Sequence, residues 1–119
     1  MQFLDTYALV EIAKGSKNYE KIVDYPFAIC ELTLAEFYSV ILRDRSESEA
    51  EFWVKKYLPF VQSSDLATLL EAVKFKHKHK NQNLSFFDAF GYAHAIRNGG
   101  SFVTGDKAFE KMPQVNYIK

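Results

Sequence analysis

With a single cysteine, Cys30, the chain cannot form an internal disulfide, so nothing covalent braces its 119 residues and a reducing compartment suits it. Cys30 lies in an apolar run, which predicts a buried, inert thiol rather than a nucleophile. No segment approaches the roughly twenty apolar residues of a membrane helix. The first residues also lack the basic stretch and apolar run of a signal peptide. The expectation is a cytoplasmic protein with no membrane span. Three prolines and five glycines leave no linker, repeat or low-complexity tract, and the length suits one domain over residues 1–119. Net charge is missing too: fifteen Lys and Arg balance fifteen Asp and Glu, so overall charge names no partner. The nucleotide loops G-x-x-x-x-G-K and G-x-G-x-x-G do not occur. Tyr7 stands where a D-x-D phosphatase carries its second acid, and "LDTY" and "PFVQSS" lack the acid pair and phosphoacceptor of a receiver domain. His77 and His79 point to different faces of a helix, so they do not make a zinc site.

What is present is apolar mass in a regular pattern. Hydrophobic residues are 48% of the chain and aromatics 16%, enough for a packed core. "MQFLD" reads as a strand, followed by a helix over Thr6–Lys14 that Gly15 closes, and "YPFAIC" as a second strand. From Thr33 the apolar period becomes helical, with Leu34, Phe37, Tyr38, Ile41 and Leu42 on one face. Ser46 and Glu49 form a capping box for a helix through Tyr57. "PFVQ" is a third strand, and Asp65 caps a helix whose apolar face is Leu66, Leu69, Leu70 and Val73. Ser85 and Asp88 open a helix carrying Phe86, Ala89, Phe90, Ala93 and Ile96, stopped by Gly99 and Gly100. "SFVT" is a fourth strand, 107–111 a helical turn and "VNYI" a last strand. Strands alternating with helices predict a mainly parallel sheet in a three-layer α/β fold, with ligands beyond the carboxyl ends of the strands.

Acids gather at that predicted edge. Asp5 ends the first strand, Glu36 lies in the first turn of the helix after the second, and Asp106 follows the fourth. Asp88 joins them if its helix begins at the same edge. Singly, each is an ordinary capping or turn residue. Together they repel: two like charges about 4 Å apart cost roughly 4 kcal/mol at an effective dielectric near 20. A cation between them relieves this, and hard oxygen ligands without His or Cys select Mg²⁺ or Mn²⁺. A carboxylate-held Mg²⁺ suits phosphodiester hydrolysis.

"FLDTYALVE", "TLAEFYSVIL", "LSFFDAFGYAHA" and "FVTGDKAFE", in this order and spacing, resemble the PIN-domain ribonucleases, and within them the VapC-type toxins of toxin–antitoxin pairs. The likeness runs over essentially the whole chain. It implies a five-stranded parallel sheet in the order 3-2-1-4-5 and a Mg²⁺- or Mn²⁺-dependent endoribonuclease. Asp5, Glu36, Asp88 and Asp106 become the catalytic, metal-binding quartet. Thr6, Ser85 and Thr104 match hydroxyl positions that orient carboxylates. The resemblance further implies a tRNA or ribosomal RNA target, a homodimer and an antitoxin that blocks the acidic site. Tyr7 occupies a slot where Asn or Ser is frequent. Glu31, five residues before Glu36, is an auxiliary or solvated acid at the strand exit, and Trp53 faces the antitoxin or a second copy.

"KFKHKHK" (74–80) holds four Lys and two His with no acid, close in sequence to Asp88. Lys76, Lys78 and Lys80 are candidate RNA-backbone contacts beside the acidic cleft. Cations complementing a helix C-terminus explain the same residues equally well. Two other readings stay open: a non-catalytic module binding RNA or protein on this fold, and a DNA-directed nuclease using the same acids.

Overall fold

A computed structural model describes residues 1–119. Its strands are short enough to be crossed by a few hydrogen bonds each: β1 (Gln2–Leu4), β2 (Phe27–Cys30), β3 (Val61–Gln62), β4 (Ser101–Thr104) and β5 (Val115–Tyr117). They form one five-stranded sheet in the order β3-β2-β1-β4-β5, and every pairing is parallel. Side chains of neighbouring strand residues point to opposite faces. Phe3, Ala28 and Phe102 therefore enter one apolar cluster, while Leu4, Ile29 and Val103, the next residue in each strand, enter another. Both faces need a cover. The second cluster is completed by α1 (Thr6–Ala13), α2 (Glu31–Asp44) and α3 (Glu47–Tyr57), which contribute Leu9, Phe37 and Tyr57. The first is completed by α5 (Phe86–Arg97), through Tyr92 and Ala95, and α4 (Leu66–Lys78) packs beside it. This is the expected three-layer α/β arrangement. No helix is long and apolar enough to cross a membrane.

Several local expectations are corrected. The second helix begins at Glu31, directly from strand residue Cys30, not at Thr33. Thr33 is thus an interior, buried helix residue, and Glu36 lies in the second turn, not the first. Pro59 and Phe60 belong to a 3₁₀ turn (Leu58–Phe60), which leaves β3 only two residues long. The segment after Asp106 is likewise a single 3₁₀ turn (Lys107–Phe109) rather than a helical turn through Lys111. The largest correction concerns α4. Leu66, Leu70 and Val73 are 68%, 59% and 54% exposed, whereas Thr68 and Ala72 are buried and Leu69 and Phe75 half-buried. Small side chains decide this: Ala72 meets Ala89 and Ala93 of α5, which lets the two helices approach closely.

Candidate functional site

Asp5 sits where β1 gives way to α1. Leu4 is paired with Val103 of β4, and the Asp5 amide donates to the Val103 carbonyl at 2.9 Å, so the end of β1 lies against the end of β4. Its carboxylate is only 2% exposed. One oxygen caps α1 by accepting from the Thr6 amide at 2.8 Å, and the other accepts from the Thr104 hydroxyl at 2.7 Å. The Thr104 hydroxyl also accepts from the Asp106 amide at 3.0 Å. One fully buried hydroxyl therefore ties the first acid to the loop bearing the last. Asp106 in turn caps the following 3₁₀ turn, its carboxylate accepting from the Ala108 amide at 3.0 Å. From the α1 side, the Thr6 hydroxyl donates to Glu36 at 2.5 Å. Asp88 stands in the first turn of α5, whose start is capped by Ser85, its hydroxyl accepting from the Asp88 amide at 3.1 Å.

Because α5 runs antiparallel to the strand that follows it, it begins at the carboxyl edge of the sheet. The four acids consequently line one open cavity of about 450 Å³, with Thr6, Tyr7, Val40, Gly105 and Lys107 as its remaining walls. Glu36 arrives from the helices over one face, Asp88 from the helix over the other, and Asp5 and Asp106 from the sheet between them. Gly105 is required by packing here: a Cβ would run into the Tyr7 ring and the Ile118 carbonyl.

Burial pushes the Asp5 carboxyl up to about 8, with repulsion from Asp88 and, less strongly, Glu36 adding to it. The hydrogen bonds from Thr104 and Thr6 oppose that rise without cancelling it. Asp88 is raised to about 6, again first by burial and then by Glu36 and Asp106. The acids feel one another, and the donor set is all oxygen. No three His, Cys, Asp or Glu side chains close on a single point as a ready-made metal cage. What suits a hard divalent cation here is the all-oxygen donor set and its crowded negative charge.

Replacing Thr104 with Val tests how far one hydroxyl organises this edge. It strips a donor from buried Asp5 and an acceptor from the Asp106 amide. Urea unfolding should show a loss of about 1–3 kcal/mol. Any metal-dependent activity should fall roughly 10–100-fold, as when a ligand loses its orienting partner. Values equal to wild type in both measurements would mean the tie between the two loops is idle.

Other candidates lie elsewhere. Lys76, Lys78 and Lys80 do not line the acidic cavity. Lys78 instead faces a separate groove with Phe75, Tyr92 and Pro113. Glu31 lines an apolar groove between α2 and α3 with Leu34, Tyr38 and Val54. Trp53 stacks on Tyr57 at 5.7 Å and is half-buried within that layer. Cys30 is buried, and burial raises its thiol to about 11, as befits an inert cysteine. The residue that sequence reasoning missed is Lys107, the one cation in the cavity wall. Its signal was its place directly after Asp106, overshadowed by the longer basic run.

A family profile described as the PIN domain matches residues 3–115. The chain belongs to the PIN-domain family. Among solved structures, this PIN domain is similar to the sarcin–ricin-loop-cleaving toxin VapC20 of Mycobacterium tuberculosis, with 16% identity, 100% of both chains covered and a TM-score of 0.83. It is similar to a chain of a toxin–antitoxin complex from Klebsiella pneumoniae, with 18% identity, 98% and 96% covered and a TM-score of 0.78. A chain of DNA-bound VapBC from Salmonella typhimurium gives 17%, 98% and 95%, and 0.77. At such identities the likeness is one of fold. No curated protein matches this chain in sequence.

Proposed function

We propose that this PIN domain is a divalent-cation-dependent endoribonuclease and the toxin half of a toxin–antitoxin pair. The observation carrying the reading is the convergence of Asp5, Glu36, Asp88 and Asp106, from four separate segments, on one cavity. These four would hold Mg²⁺ or Mn²⁺. Bound there, such a cation supplies Lewis-acid polarisation of a phosphodiester and activation of water. The chain's own contribution is position. Thr104 and the Thr6 amide fix both oxygens of Asp5, the Thr6 hydroxyl holds Glu36, and Ser85 holds the turn bearing Asp88. No side chain needs to act as nucleophile, and cleavage leaves the phosphate on the 5′ side of the product. The fold shared with chains of toxin–antitoxin complexes supports an antitoxin partner, and the fold shared with a sarcin–ricin-loop-cleaving toxin supports an RNA target. A tRNA or ribosomal RNA substrate, a homodimer and a cytoplasmic site of action complete the proposal.

The test is a Mn²⁺ and Mg²⁺ titration of the purified protein with a structured RNA and a single-stranded DNA of matched length. RNA should be cut only with metal present, and EDTA should stop it. Cutting of RNA that continues in EDTA would refute the mechanism. Preferential cutting of the DNA would move the substrate assignment.

A further inference from the structure

An acidic cavity poses a problem for its own substrate. Even with a divalent cation in place, four carboxylates leave little attraction for the phosphates on either side of the cleaved bond, and phosphate neutralisation supplies most non-specific nucleic-acid affinity. We infer that Lys107 is the phosphate contact of the cavity, and that the RNA strand leaves it across the ledge formed by Gln82, Ala108 and Lys111. The inference rests on the ribonuclease reading and names the part of the protein that would hold the backbone.

Four observations carry it. Lys107 lines the acidic cavity and also the adjoining hollow of about 440 Å³, whose other walls are Gln82, Ala108, Glu110 and Lys111, so it is the wall the two share. Both Lys107 and Lys111 are exposed and outside the chain's ion pairs, which join Glu11 to Lys14, Arg43 to Asp44, Arg45 to Glu49 and Glu71 to Lys74. The carboxylates beside it have other partners: Asp5 accepts from the Thr6 amide and the Thr104 hydroxyl, and Asp106 from the Ala108 amide. Finally, its backbone is anchored on both sides. Asp106 caps the turn, the Phe109 amide donates to the Asp106 carbonyl at 3.0 Å, and the Phe109 side chain is fully buried. A flexible cation on a fixed base is suited to tracking a backbone phosphate as a point charge. Glu110 shares the ledge, so the two lysines must outweigh it. The basic run of α4 reaches this path only at its tail, where Gln82 follows Lys80 by two residues.

The experiment measures kcat and KM for a single-stranded RNA oligomer carrying a fluorophore and a quencher, in saturating Mg²⁺, across a KCl series. Each phosphate contact on a single strand contributes about 0.7 to the slope of log affinity against log salt. Lys107→Gln should flatten the slope of kcat/KM by about that amount and raise KM several-fold with kcat little changed. Lys107→Arg should restore the slope, and the double variant Lys76→Gln with Lys78→Gln should leave it at the wild-type value. Melting curves should superimpose, since every substituted side chain is exposed. An unchanged slope in Lys107→Gln, or an equal loss in the α4 double variant, overturns the inference while wild-type Mg²⁺-dependent cleavage keeps the ribonuclease reading intact. No wild-type cleavage of any RNA removes both.

Discussion

Asp5→Asn should lose metal-dependent cleavage by at least about a hundredfold, the upper range for removing an orienting partner one step further from the metal. The same variant should melt several degrees higher than wild type in EDTA. The two effects have one cause. Asp5 is a carboxylate in a place that does not tolerate charge, 2% exposed and repelled by Asp88 and Glu36. Without a cation the folded chain must either protonate it or bear the repulsion, and the unfolded chain does neither. An Asn keeps the shape and the oxygen that caps Thr6, gives up the oxygen that accepts from Thr104, and discards the charge. Relief of the buried charge outweighs the lost bond, so the apo protein gains. What it discards is the charge that would hold the cation. An acid retained only for structure behaves otherwise, its neutralisation costing stability along with any activity. Opposite signs in rate and melting temperature thus identify a site whose strain serves function. The assay pairs initial rates in saturating Mn²⁺ with thermal melts in EDTA. A variant that cleaves at the wild-type rate, or melts lower, contradicts the assignment.

The legible parts of this protein were those governed by short-range rules. Alternation of Phe3 with Leu4 and of Phe102 with Val103 is enough to say that both faces of the sheet are covered, and helices between strands make the sheet parallel. The strand order itself came through family resemblance, since no local rule puts β1 between β2 and β4. Asp5 and Asp106 were readable because a strand end fixes where the next residue lies. Glu36 lines the cavity from the second turn of α2, not the first: β2 passes into α2 with no loop, and Cys30, which makes no side-chain cap, is not a residue that announces a helix start. The period of α4 offered two stripes, and choosing the more hydrophobic one failed because helix contact rewarded the smaller residues, Thr68 and Ala72. Lys76, Lys78 and Lys80 were prominent by density. Lys107 is nearer the four acids because the turn capped by Asp106 carries it there, a relation that only the folded chain displays.

Stripped of divalent cations, the protein should become less stable as pH rises from 6.5 to 8. A folded-state carboxyl held at about 8, against an ordinary 3.8, means that the folded chain binds more protons than the unfolded one throughout that interval. Stability then falls as pH rises. The contribution is whole below the ordinary value and is gone above about 8. Asp88 acts in the same sense but is exhausted nearer 6. His94 acts the other way: burial lowers its affinity for protons, so its penalty is felt in acid and vanishes as the unfolded histidine deprotonates near 6.5. Above 6.5, therefore, Asp5 dominates among these groups. At 1.36 kcal/mol per pH unit, a single group titrating across this window can remove at most about 2 kcal/mol. Mg²⁺ binds the folded chain alone, so it should restore stability, and by more at pH 8 than at pH 6.5, because the ionised site binds it better. Urea unfolding at the two pH values, in EDTA and in Mg²⁺, decides the matter. Asp5→Asn should flatten the EDTA slope. A wild-type slope that is level or rising in EDTA, or one that persists in Asp5→Asn, would mean that the buried acid finds its counter-charge within the chain and that the cavity does not select for a metal.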